Sequence, residues 1–156
     1  MKLKDLFEKW DLKKLKVKTP VLDLEWTPDD SDKNAAWELY VELLTRITTQ
    51  RLPLEHGVEK TALDSVYSLF GTTREVLKRS GRNCVQFARI AVIVLNQIVR
   101  PFTAKWHRLS MEGAFDDKEK CKKFRTELID LQNDLLNYTK MLADMADVED
   151  LTESEE

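Results

Sequence analysis

The sequence predicts an all-α protein, an antiparallel four-helix bundle with an N-terminal helical and extended arm. Three observations predict it. The 156 residues hold 4 Gly and 4 Pro beside 34% charged and 42% apolar residues, a balance that favours long helices over a many-turned sheet. Two long segments carry apolar residues stepping by three and four over about four heptads. A short connection around Gly113 joins those segments, which makes them antiparallel neighbours. A chain of this length is one domain with room for a substantial core.

The elements follow in order. Residues 1–26 form the arm: 3–15 read as an amphipathic helix with Leu3, Leu6, Phe7, Trp10 and Leu15 on one side. Residues 18–26 (KTPVLDLEW) read as extended, because Pro20 disfavours helix and Val21, Leu22, Leu24 and Trp26 can lie along a core. The bundle occupies 27–148. Thr27, Pro28, Asp29 and Asp30 open its first helix as cap, first-position proline and first-turn acids. That helix runs to Arg51 with Trp37, Tyr40, Leu44 and Ile47 facing inward, and Pro53 and Gly57 end it. The second covers 59–70, with Leu63, Val66, Tyr67 and Phe70 on one face, and stops at Gly71; Thr73 then caps a short turn over 74–80. The third and fourth cover 82–109 and 117–147, and the acidic residues 149–156 are expected to be disordered.

The third helix has the seam Val85, Ala88, Val92, Leu95, Val99, Phe102, Trp106 and Leu109. The fourth has Cys121, Phe124, Leu128, Leu131, Leu135, Tyr138, Leu142 and Met145. Setting Trp106 against Phe124 also sets Val99 against Leu131, Leu95 against Leu135 and Val85 against Met145, so one alignment serves every layer. It places Cys84 and Cys121 near opposite ends, beyond the roughly 7 Å reach of a disulfide.

The net charge of −3 hides a segregation. Residues 1–18 carry seven Lys against three acids, 74–108 carry eight Lys or Arg against Glu75 alone, and from Asp144 onward there are seven acids and no base. The alignment lays Arg74, Lys78, Arg79 and Arg82 beside Asp144, Asp147, Glu149 and Asp150, so that end is neutralised internally. The other end, 100–125, gathers Arg100, Lys105, Arg108, Lys118, Lys122 and Lys123; it reads either as a solvated, Lys-rich turn or as the place where RNA or another anionic ligand binds, if one does.

Several chemistries lack their residues. Glu-x-x-His pairs for a di-iron bundle are absent, and two His with two Cys, far apart in the predicted bundle, make no zinc site. There is no Gly-rich phosphate loop, no Gly-x-Ser-x-Gly elbow and no paired Cys motif. No cofactor or metal is implied. The longest uninterrupted apolar run, IAVIVL, is far below the roughly 18 residues of a membrane span, so a membrane is not expected as a partner. A Lys-rich start and two cysteines read as a cytoplasmic, reduced setting.

One place concentrates the functional question. Arg89, Asn96, Arg100, Thr103 and His107 fall within about 60° of one another on the third helix, beside its apolar seam. Buried polar groups need partners, and Glu38, Glu42 and Asp64 are the acids available on the first two helices. A bundle closed off in this way uses the stripe to fix its own register. An open stripe could hold an anion at Arg100 and move a proton at His107.

Two resemblances bear on this stripe. Leu95 and Asn96 through Arg100-Pro101-Phe102 to Lys105-Trp106-His107, 13 residues, resemble a stretch of bacterial helical proteins, some of them from anti-phage defence loci. Arg100 followed after six residues by His107 is similar to the arginine–histidine motif of the HEPN superfamily, all-α bundles of which many are metal-independent ribonucleases. That resemblance implies Arg100 as the phosphate-binding residue and His107 as the acid–base catalyst. The leading expectation is a non-catalytic interaction or adaptor module of a bacterial multi-component system, a defence locus being one such setting. It would engage a partner protein, or a second copy in a homodimer, through the arm (Leu6, Phe7, Trp10) or the acidic tail. The alternative is a HEPN-like ribonuclease or RNA-binding protein using Arg100 and His107.

Overall fold

The protein is all-α. The structure, a computed structural model, describes residues 1–12, 15–46, 49, 50, 52 and 58–155. Ile47, Arg51, Pro53 and Gly57, which the sequence reading assigns to the end of the first bundle helix and its break, lie outside those residues. The order is α1 (Leu3–Lys9), α2 (Thr19–Leu22), α3 (Asp30–Leu44), α4 (Glu59–Ser80), α5 (Val85–Val94), a π turn (Leu95–Val99), α6 (Arg100–Met111), a 3₁₀ turn (Ala114–Asp116), α7 (Lys118–Ala146) and a 3₁₀ turn (Thr152–Glu155). Helix α3 packs along α7 and also meets α4 and α5, while α4 lies against α6. This arrangement is compatible with a four-helix bundle around one core.

The arm docks on that core. Leu3, Leu6, Phe7 and Leu12 are buried in it, with Trp10, Leu15 and Val17 packed alongside. Residues 19–22, expected to be extended, form one helical turn with Pro20 in it, a position where the missing N–H costs nothing. Gln97 fastens the arm to the long helix: its side chain accepts from Lys16 N at 2.6 Å and donates to Lys16 O at 2.7 Å.

Helix α3 begins two residues later than the sequence reading has it. Asp29 is the N-cap and Asp32 closes the capping box: Asp32 N donates to Asp29 Oδ1 at 3.0 Å and Asp29 N donates to Asp32 Oδ2 at 2.9 Å. Its buried face is Asp32, Ala35, Ala36, Leu39, Tyr40 and Leu43, so Trp37, expected inside, stands 47% exposed. The alanines explain the change: they let α3 come close to its neighbours, and a pattern of large residues does not register them.

Helix α4 runs unbroken through Gly71, where a stop was expected. Buried Leu69, Phe70, Thr73 and Val76 on both sides outweigh the roughly 1 kcal/mol that a helical glycine costs. A Cβ at Gly71 would meet nothing within 4 Å and the residue lacks a positive φ, so Gly71→Ala should raise stability by about 0.5–1 kcal/mol in chemical denaturation. A lower stability for that variant would show that the helix interior is strained there.

The largest departure from the expected packing lies in the helix Val85–Met111. Pro101 has no N–H to give and its ring crowds the carbonyl four residues back, and the chain widens into a π turn in which Arg100 N donates to Leu95 O. A π turn inserts one residue and rotates what precedes it by about 100°. After the turn the predicted seam holds, with Val99, Phe102 and Trp106 buried. Before it, each predicted position gives way to its predecessor: Cys84 is buried in place of Val85, Phe87 in place of Ala88, Ala91 in place of Val92 and Val94 in place of Leu95. The pairing of Trp106 with Phe124 is present, ring centroids 5.2 Å apart, whereas the proposed mate of Met145, Val85, is 51% exposed. The main neighbour of α7 is α3, and it also meets α6 and the π turn.

By length and composition this helix, 27 residues with a mean hydropathy of 1.3 over its most apolar window, is apolar enough to cross a membrane, and 44% of that window is buried inside the protein. The uninterrupted run IAVIVL had suggested nothing so long, because the scattered Arg89, Gln86 and Asn96 conceal it. The start of the acidic tail makes specific contacts: Tyr40 Oη donates to Glu149 O at 3.0 Å and accepts from Leu151 N at 2.8 Å, and Asp150 Oδ1 accepts from both Thr152 N and Thr152 Oγ1.

Candidate functional site

The structure divides the expected stripe: Asn96, Arg100, Thr103 and His107 lie where the π turn and α6 meet α4, while Arg89 stands before the π turn on α5. Asn96 and Arg100 are exposed, Arg89 and His107 half-buried, and only Thr103 is buried. Thr103 is satisfied within its own helix, donating to Arg100 O at 3.2 Å. Arg100 Nε donates to Asn96 Oδ1 at 3.1 Å, and the guanidinium lies 4.7 Å over the ring of Phe70 on α4, a cation–π contact. One turn further along α4, Tyr67 meets the imidazole of His107 edge-on at 4.9 Å, and His107 Nε2 stands 4.0 Å from Asp64 Oδ1. Asp64 itself accepts from Lys60 Nζ at 2.6 Å.

The acids expected to close off Arg100 are engaged elsewhere. Glu38 pairs with Arg79 at 3.0 Å and Glu42 with Arg46 at 2.6 Å. Among the described residues Arg100 has no carboxylate partner, and the phenyl face and the amide oxygen hold it instead. Asn96 lies four residues toward the N-terminus, so the guanidinium is drawn away from His107, which already stands about 10 Å along the helix axis. The two residues share a helix face without converging on one point.

The basic end is paired in part. Lys105 meets Glu127 at 2.5 Å, Arg108 meets Glu112 at 3.6 Å and Lys122 meets Glu119 at 3.5 Å, while Arg125 forms a mostly buried pair with Glu59 at 2.9 Å. Lys118 and Lys123 remain exposed. The internal neutralisation expected at the other end takes different partners: Arg79 goes to Glu38, and Asp144 takes Lys9 of the arm at 3.4 Å. Among the described residues no group of three His, Cys, Asp or Glu is placed to hold a metal ion. Cys84 and Cys121 are free thiols, both pushed above the usual thiol range by burial.

Two features escaped the sequence reading. Asp32 is 1% exposed and its Oδ1 accepts from Phe87 N at 2.9 Å, so one carboxylate serves the N-termini of both α3 and α5. The outer face of α5 is an open apolar groove, a cavity of about 580 Å³ between the arm and the helix. The signal for the groove was in the sequence as the seam Val85, Ala88, Val92, read as core; Asp32 gave none beyond its place in a first turn. No family model, curated protein or solved structure matches the chain.

Proposed function

We propose that the protein is a non-catalytic, all-α interaction module, and that its docking surface is the outer face of α5 rather than the arm or the tail. The exposed apolar strip of α5 carries this reading: Val85 and Val92 are 51% and 46% exposed at heptad spacing on an otherwise core-forming helix. The arm's Leu6 and Phe7 are consumed by the protein's own core, and the tail is tied to Tyr40. The 13-residue resemblance around Arg100 to bacterial helical proteins supports a bacterial multi-component system as the setting.

The ribonuclease alternative keeps one supporting observation, that Arg100 has no acidic partner among the described residues. Against it stand the cation–π seat on Phe70, the pull toward Asn96 and the separation from His107, since proton transfer needs a group within hydrogen-bond reach of the phosphate that the arginine holds. Purified protein incubated with labelled single-stranded and transfer RNA in EDTA should leave both intact, and His107→Ala should behave identically. Cleavage by the wild type that is lost in His107→Ala would overturn the module reading and make Arg100 the next residue to replace.

A further inference from the structure

The groove on α5 has a floor, walls and a charge. Val85, Ala88, Val92 and Ile93 form the floor, and Val17 and Val21 of the arm form one wall. A second cavity of about 520 Å³ shares Val85 and Ala88 and continues the groove toward Leu77 at the end of α4. The rim carries Lys16, Lys18 and Arg89 beside the first cavity and Lys78 and Arg82 beside the second, and no acid lines either one among the described residues. The Gln97 clasp on the Lys16 backbone holds the arm wall in place.

From these features we infer that the groove receives an amphipathic helix of a partner protein, with apolar residues at three- and four-residue steps and acidic residues flanking them. The inference rests on the interaction-module reading. The strip from Val85 to Gln97 is about 18 Å long, three turns of helix, and its 3-4 spacing offers the holes that such a seam fills. A rim of five cations without an acid selects acidic flanks and repels basic ones. The arm wall runs beside the helix floor, an open trough that suits a rod.

The test uses the full chain and two fluorescein-labelled synthetic peptides, each four helical turns long with the same leucine seam, one flanked by Glu and one by Lys. The Glu-flanked peptide should bind in fluorescence anisotropy at least about tenfold more tightly than the Lys-flanked one. Val92→Glu should abolish binding, and the double change Lys18→Glu with Arg89→Glu should reverse the preference between peptides. Val92 and Lys18 are exposed, and Arg89 is half-buried at the rim with a side-chain bond to Gln86 alone among the described residues, so each variant should keep an unfolding midpoint close to the wild type's. Equal affinity for the two peptides, or a preference unmoved by the double change, overturns the inference. So does sedimentation with phosphatidylglycerol vesicles that Val92→Glu abolishes while neither peptide binds, since the strip would then be a membrane surface. The peptide outcomes overturn only the charge-selected helix and leave the module reading standing, whereas vesicle binding lost in Val92→Glu overturns the module reading as well, so the two failures are distinguishable.

Discussion

Trp106→Ala is expected to lower stability by about 3–5 kcal/mol, the range for emptying a large aromatic site in a packed core. For a chain of this size that corresponds to a fall in the thermal unfolding midpoint of roughly 10 °C or more. Trp106 is fully buried and sits in a cluster of rings: Phe115 stacks on it at 6.1 Å, Phe124 meets it edge-on at 5.2 Å, and Phe102 and Phe115 in turn contact Phe124 at 5.4 and 5.0 Å. This cluster joins α6, the Gly113 turn and α7, so the loss is shared by every element at that end. Gly113 takes φ 84° there, which lets the chain reverse at once and bring Phe115 onto Trp106. Trp106→Phe should cost markedly less, because most of the ring volume stays and the indole Nε1, buried without a partner among the described residues, is removed. Trp37→Ala is the control. Its ring is 47% exposed and touches Tyr40 at a centroid distance of 6.0 Å, so its loss should cost about 1 kcal/mol or less. Chemical denaturation of the three variants checks the order, and equal losses at Trp37 and Trp106 would contradict the packing described.

The sequence carries both tryptophans as seam residues, and the difference between them shows what a periodic reading detects. Spacing by three and four identifies a helix and its apolar side as long as the backbone keeps one phase. In α7 it does: Phe124, Leu128, Leu131, Leu135, Tyr138, Leu142 and Met145 are all buried, and the observed bounds differ from the expected ones by one residue at each end. In the preceding helix the π turn changes the phase once, and everything before it is read one residue late. The proline that signals the turn was visible, but whether the chain bends, breaks or widens at a proline depends on what packs against it. The same limit applies to Arg100 and His107. Their common helix face was legible from spacing; what lies opposite them was not, because Phe70 and Tyr67, though placed on the second helix, read there as part of its own core face rather than as seats for a guanidinium and an imidazole. Spacing within one helix does not say which helix packs opposite, and so acids on α3 were assigned to Arg100 although they pair with Arg46 and Arg79.

Asp32→Ala should cost roughly 2–4 kcal/mol, about as much as a large core truncation, although it removes only a carboxylate. Two backbone donors depend on that group, Asp29 N at 2.9 Å and Phe87 N at 2.9 Å, and a buried donor left without an acceptor costs about 1–3 kcal/mol. Phe87 N is one of the first-turn N–H groups of α5 that no carbonyl of its own helix can reach, so Asp32 caps a helix 55 residues away while closing the box on its own. Burial holds the Asp32 carboxyl above its ordinary value of 3.8, outweighing the two N–H bonds that pull the other way, and the charge of Asp29 adds to the rise. The native state therefore binds more protons than the unfolded chain between pH 3.8 and the raised native value, and stability falls with rising pH across that window. The contribution is complete below pH 3.8 and diminished above the native value. Asp32→Asn keeps an oxygen acceptor for one donor and cannot ionise, so it should be less harmful than alanine and should lack the pH dependence. The stability difference between wild type and Asp32→Asn is then expected to be largest at low pH and to shrink as pH rises. Urea titrations of both proteins at a series of pH values measure this difference directly, and a difference that grows with pH would mean that the two N–H bonds, rather than burial, govern the group.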